Sequence, residues 1–397
     1  MPSHVAPSLA RVIGLAPMVA VALAIQINGG LQTELGATRR SGSERSASEW
    51  AIAPWVAAGL ASPGTSAEFR YSPRVILRYR RSDPSPQAAT ELLHALSGEV
   101  RHRSSRTLEV SAKAAFERGR VELDPLRVTQ LLSGVDALAV PSVREVDYVH
   151  ATTSLGLSAR VDRRTSWSST VGYRLIGDLR NPSEPTSSAA LPWQRGPEWT
   201  TSLEHALTRR DALLARAAAS GVYVREGWIL QAHAMGGWSR ALSRNLSLAA
   251  ALGVGAQTRE GPQRVAAMPV GNVALAYVAA TRAPVRAQLA IGALPFVDPF
   301  TGAAYRRTDA SLATSCSLTP AFDLHALVAI GGPWGRDALR SDASGYASGG
   351  ATLLLRRGAS LSAGVRASLQ RRIFGMDRPE ADWGAFLGFS YDVRTDT

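Results

Sequence analysis

The chain has 397 residues, 45% of them apolar and 19% charged, with 35 Gly, 22 Pro and a single Cys. One cysteine excludes a disulfide framework and a Cys-based zinc site, and the ordinary apolar share excludes disorder. A single long apolar run, at the extreme N-terminus, excludes a polytopic helical membrane protein, and the net charge of +12 is carried by scattered arginines rather than a basic patch of the kind that binds nucleic acid.

At the N-terminus a short segment ending in Arg11 precedes about a dozen apolar residues that close on Ala22-Leu23-Ala24. Small residues at Ala22 and Ala24 suit a signal peptidase, and the apolar stretch is short for a membrane span. The reading is a cleaved signal peptide over 1–24 and a mature, exported chain over 25–397. No Cys follows the cleavage site, so a lipoprotein is excluded.

Beyond it, period-two alternation is nearly continuous. In the segment 67–80, Phe69, Tyr71, Val75, Leu77 and Tyr79 share one parity, opposed by Glu68, Arg70, Ser72, Arg74 and Arg78. Successive strand side chains point to opposite faces, so such a segment has one greasy and one charged surface. Eighteen segments of this kind are predicted: 26–39, 49–61, 67–80, 91–102, 106–118, 144–162, 165–177, 197–208, 211–223, 228–240, 244–257, 267–279, 284–296, 304–318, 322–332, 344–356, 359–371 and 382–394. Most have 11–14 residues, and a tilted membrane strand needs roughly 9–11. Short turns alternate with longer polar connections, of which 119–143 is the longest; one connection on the long side, near 224–227, is short. An even strand number sets both ends of the barrel chain on the turn side. The fold class read from this pattern is all-β: a transmembrane antiparallel up-and-down barrel of about 18 strands, with 16 as the alternative. A soluble propeller or solenoid would carry shorter strands and a repeated signature, which is absent.

Aromatic residues fall where a bilayer has its interfaces. Phe69 and Tyr79 bracket one apolar stretch, Trp228 and Trp238 another, and Trp383 opens the last segment. Ten residues at about 3.3 Å, tilted by about 40°, cover roughly 25 Å of depth, the height of the apolar band. Cys316 shares the lipid-facing parity of Leu312 and Leu318. The opposite parity assigns Arg70, Arg74, Arg78, Glu109, Lys113, Arg174, Glu204 and Arg366 to a water-filled lumen. Arg70, Arg74 and Arg78 form either a ladder attracting anionic solutes or a solvated ladder paired with acidic neighbours. Asp124-Pro125 through Gly134 has the cap, proline and terminal glycine of a short helix within the 119–143 loop, where it either lies on the surface or enters the lumen.

Catalytic constellations are poor. The seven histidines (His4, His94, His102, His150, His205, His233 and His325) read as solvated lumen or loop residues, with no metal-ligand spacing and no cofactor motif. His150 with Ser154 is the nearest approach to a hydrolase pair. The reading is therefore not an enzyme.

With its eighteen strands, its signal peptide and pieces such as Trp50-Ala51-Ile52-Ala53-Pro54 and Tyr71-Ser72-Pro73-Arg74, the chain resembles the outer-membrane barrels of Arg-rich, Lys-poor bacteria, particularly myxobacterial ones. Some of these pair with a short periplasmic polysaccharide-export protein. The resemblance implies a conduit exporting polysaccharide, with outer-membrane lipid and lipopolysaccharide as surroundings, a periplasmic partner and no nucleic acid. The alternatives are a diffusion porin for small, anionic solutes and an outer-membrane hydrolase.

Overall fold

The computed structural model describes residues 24–40, 46–81, 87–123, 144–179, 191–224, 227–258, 265–279, 283–298, 304–333, 344–355, 358–370 and 380–394. Eighteen strands run in order. The first nine are β1 (Ala24–Arg40), β2 (Ser46–Ser62), β3 (Thr65–Arg81), β4 (Gln87–Arg103), β5 (Leu108–Leu123), β6 (Arg144–Arg160), β7 (Thr165–Asp178), β8 (Gln194–Ala206) and β9 (Asp211–Val224). The second nine are β10 (Gly227–Ala241), β11 (Leu246–Thr258), β12 (Val265–Ala279), β13 (Val285–Val297), β14 (Ala304–Thr319), β15 (Phe322–Pro333), β16 (Ser344–Leu354), β17 (Ala359–Gln370) and β18 (Glu380–Arg394). Every strand pairs antiparallel with the next, and β18 pairs back onto β1, so the sheet closes on itself without an edge. No α-helix occurs among the described residues.

Closure turns the period-two pattern into an inside and an outside. Paired residues point to the same face, so parity propagates through the register: Phe69 stands opposite Gly98, and Val75 opposite Leu92. The large exposed apolar side chains follow one parity in nearly every strand, from Ile27, Leu31 and Leu35 on β1 to Leu387, Phe389 and Tyr391 on β18. Leu252, at the middle of β11, is 75% exposed. A water-soluble protein does not leave such a continuous apolar belt uncovered, whereas hydrocarbon solvates it. Buried polar groups, among them Arg78, Glu91, His150 and Arg366, take the other parity.

The outer face also settles its own polar atoms. An indole N–H in hydrocarbon has no water to meet and needs a protein acceptor. The indole of Trp50 donates to the Thr33 hydroxyl at 2.7 Å, Trp167 to Thr201 at 3.0 Å, and Trp199 to Ser169 at 3.0 Å. Each acceptor sits on the neighbouring strand with outward parity. His94 differs from its expected place in water: it faces outward and lies 2.8 Å from the Tyr71 hydroxyl through Nδ1. His102 and His205 also face outward, at the turn end, bonded to Thr65 and Thr165.

The turns have a common chemistry. A Ser, Asp or Thr accepts the backbone N–H groups two and three residues on: Ser105 from Thr107 and Leu108, Asp162 from Arg164 and Thr165, Thr208 from Arg210 and Asp211, Ser243 from Asn245 and Leu246. Such side chains mimic a backbone turn and end one strand where the next begins. Those N–H groups, with the Thr165 hydroxyl, hold the Asp162 carboxyl below its usual range. Between β2 and β3 the chain reverses through Pro63-Gly64, with Gly64 at φ +87°, a conformation glycine adopts without strain.

Several boundaries move outward from expectation. β5 runs on to Leu123, so the longest connection is 124–143, and the predicted helix at 124–134 lies outside the described residues. Residues 1–23, with Ala22, also lie outside them, and Ala24 is the first residue of β1.

Replacing Leu252 by Arg should cost about 2–4 kcal/mol of unfolding free energy, the penalty of a cation at mid-membrane depth. Denaturant unfolding in lipid vesicles would measure it, with the gel-mobility difference between boiled and unboiled protein reporting the folded barrel.

Candidate channel lumen and its outer constriction

The inner face carries several ion pairs. Arg78 on β3 reaches Glu91 on β4 at 2.7 Å and Glu49 on β2 at 3.3 Å, all three nearly buried. Arg366 on β17 crosses β18 to Glu34 on β1 in a bidentate pair, both bonds 3.1 Å, with its guanidinium 3.9 Å above the Phe386 ring. A fork-to-fork pair of this kind fixes orientation as well as charge. Arg70 lies 4.3 Å over Trp55. The Trp55 ring lies flat against the wall because residue 30 is glycine; a Cβ there would collide with the indole. Lys113 and Arg101 converge on Glu99, at 3.1 and 2.6 Å.

Each of the eight charged residues expected inside carries the inward parity. They do not form one track. Of the Arg70, Arg74 and Arg78 series, Arg78 is paired with acidic neighbours and Arg70 stacks on Trp55. Glu109 and Glu204 come together at the turn end with Ser158, Ser166 and Ser202 around a recess of about 560 Å³, rimmed by Arg103 and Arg106. Of the expected aromatic belt, Phe69, Tyr79, Trp228 and Trp383 are more than half exposed on the outward face, while Trp238 is half-buried beside Arg240.

The hydrolase pair fails on geometry. His150 and Ser154 share the inner face of β6, four residues apart along an extended strand, hence about 13 Å apart. Proton transfer needs about 3 Å. His150 instead stands opposite Glu117, 3.8 Å from its carboxylate. Among the described residues no group of three His, Cys, Asp or Glu side chains is placed to hold a metal ion.

One feature has no counterpart in the local alternation of the sequence. β13 pairs with β12 only as far as Ala293 opposite Gly271, and among the described residues the pairing of β14 with β15 ends at Arg307 opposite Pro333. Above these points β13 and β14 stay paired with each other, from Leu294 opposite Arg307 to Val297 opposite Ala304. The ribbon leaves the wall and turns inward. Its former outer face now meets the inner wall: Val297 is only 8% exposed and clusters with Val222, Val224 and Ile229, against which Ala304 packs. Leu294 joins a second inner cluster of Met235, Ala251, Met268 and Val270. Two buried glutamines hold its backbone, Gln257 donating to the Phe296 carbonyl at 3.0 Å and Gln194 to that of Asp298 at 3.4 Å. Gln194 stands on β8, five strands from β13, so the ribbon reaches more than a quarter of the way round the ring.

The cause is legible once the register is known. Continued past Gly271 and Ala293, it would set Pro269 opposite Pro295. Neither has an N–H, so the ladder ends there and β12 keeps only its pairing with β11. The departure lies about nine residues above the turn end, close to the top of the apolar band. The hydrogen bonding is therefore complete at hydrocarbon depth and broken only above it.

The model of the EpsX exopolysaccharide export family matches residues 16–395. No curated protein matches the chain. Similar solved structures include OccK7 (OpdD) of Pseudomonas aeruginosa, at 12% identity over 93% of this chain and 99% of that one, with a TM-score of 0.50. OpdO of the same organism has 14% identity over 93% and 97%, with a TM-score of 0.48. A BenF-like porin of Pseudomonas fluorescens Pf-5 has 12% over 94% and 99%, with a TM-score of 0.46. At these identities the likeness concerns the fold alone.

Arg78→Ala would leave Glu49 and Glu91 facing each other without their cation, a loss of about 3 kcal/mol for a buried, broken pair. Unfolding of the refolded barrel in detergent should show it, and Glu49→Gln combined with Glu91→Gln in that background should recover part of it.

Proposed function

The chain belongs to the EpsX exopolysaccharide export family and is a β-barrel of the bacterial outer membrane, and we propose that it is the conduit through which a polysaccharide leaves the periplasm. The family match over nearly the whole chain carries this reading. The inner face supports it in chemical terms. A long, hydrated polymer has to slide, so its wall needs hydrogen-bonding groups without strong fixed charge. Paired arginines and carboxylates, with serines such as Ser158, Ser168 and Ser202, supply such a wall. A string of unpaired arginines would instead retain an anionic chain by Coulomb attraction.

The polymer is delivered by a periplasmic partner, which in this reading docks at the turn end. Four consecutive turns present exposed arginines there: Arg103 and Arg106, Arg163 and Arg164, Arg209 and Arg210, and Arg244. Together they make an electropositive crescent below β4 to β11, suited to an acidic protein surface.

Deletion of the gene should abolish surface polysaccharide while intracellular synthesis continues; unchanged surface polymer would discard the conduit. Charge reversal of Arg163, Arg164, Arg209 and Arg210 to Glu should cut export several-fold while leaving heat-modifiable barrel in the outer membrane, measured by polymer staining of intact cells and by gel mobility.

A further inference from the structure

We propose that the inturned β13–β14 ribbon is the gate of this conduit, closed in the isolated protein and displaced when polymer passes. The inference rests on the conduit reading for its purpose, but on separate observations for its mechanics.

The ribbon is built to move as one piece. Its two strands stay paired from Leu294 with Arg307 to Val297 with Ala304, while among the described residues neither outer edge pairs with a neighbouring strand. It is attached to the wall at one level, where Ala293 and Arg307 make their last pairings with β12 and β15. Arg307 anchors that level, donating through Nε to Asp309 at 2.6 Å and stacking 4.6 Å over Phe296. A paired ribbon with a single line of attachment pivots there and costs no ladder hydrogen bond to swing, as a hinge requires.

The resting position is equally specified. Val222, Val224 and Ile229 carry the inward parity, where water would meet them in an open barrel. They are 6%, 3% and 4% exposed because Val297 and Ala304 lie over them. Opening therefore exposes apolar wall to water, which makes the inturned state the stable one without polymer. Side-chain bonds add to this: Gln257 and Gln194 donate to the carbonyls of Phe296 and Asp298, and Arg306 on the ribbon donates to the Pro269 carbonyl of β12 at 3.4 Å. A few side-chain bonds and one small apolar cluster make a latch that a moving chain can release, unlike a ladder of backbone bonds. The other face of the ribbon carries the Phe296 and Tyr305 rings, 5.5 Å apart, towards the lumen, where an advancing polymer meets them.

The test has a releasing and a locking arm, each in a Cys316→Ser background. Val297→Asp together with Gln257→Ala puts a charge into the apolar cluster and removes one latch bond. In planar bilayers this variant should raise mean conductance several-fold over the parent protein. Val224→Cys with Val297→Cys should lock the ribbon when oxidised: conductance stays at the parent level, and cells carrying it lose surface polysaccharide until reductant is added. Gel mobility before and after boiling confirms that each variant is folded. The gate is overturned if the parent protein conducts as freely as the released variant, or if the oxidised pair exports polymer normally. Loss of the conduit reading would show separately, as surface polysaccharide that survives deletion of the gene, with the conductance difference between released and locked ribbons intact.

Discussion

The structure depends on one requirement: at hydrocarbon depth every backbone N–H and C=O must find a partner within the protein. Eighteen antiparallel strands meet it only because β18 returns to β1, from Asn28 opposite Arg394 to Arg40 opposite Asp382. Closure makes one parity the lipid face and the other the lumen, and from that division follow the apolar belt, the indoles bonded to neighbouring hydroxyls and the polar interior. The same requirement explains where the fold departs from regularity. The place where β12 and β13 part lies above the apolar band, where water and the lumen can satisfy what the ladder gives up.

Inside, the governing interaction is the ion pair rather than the isolated charge. Arg78 between Glu49 and Glu91, and Arg366 forked onto Glu34, tie non-neighbouring or successive strands across the inner surface. Burying these groups is tolerable because each has its counter-charge and, for Arg366, an aromatic face beneath it.

The strand plan was legible in the sequence because its signal is purely local. Alternation needs only neighbouring residues, and a segment such as Phe69 to Tyr79 announces its length, its two faces and its aromatic ends. The turns were legible for the same reason, since Ser105, Asp162, Thr208 and Ser243 act within three residues. What the sequence withheld depends on register. The ion partners of Arg78 and Arg366 cannot be named until β3 is set against β2 and β4, and β17 is brought near β1. His94 carried no mark of its outward bond to Tyr71, twenty-three residues earlier in the chain. The inturned ribbon was hardest of all: Pro269 and Pro295 are unremarkable singly, and become a break only when opposed. Val222, Val224 and Ile229 were a usable clue, three apolar residues on a face that otherwise prefers water.

Lys113 and Cys316 stand on opposite sides of the wall. The chain has one lysine, facing the lumen near the turn end, and one cysteine, facing lipid on β14. Apart from the terminal amine, the chain thus holds a single primary amine in the aqueous interior and a single thiol on the greasy exterior. A hydrophilic acylating dye and an oil-soluble maleimide can consequently be directed to the two compartments of the same molecule without any prior engineering.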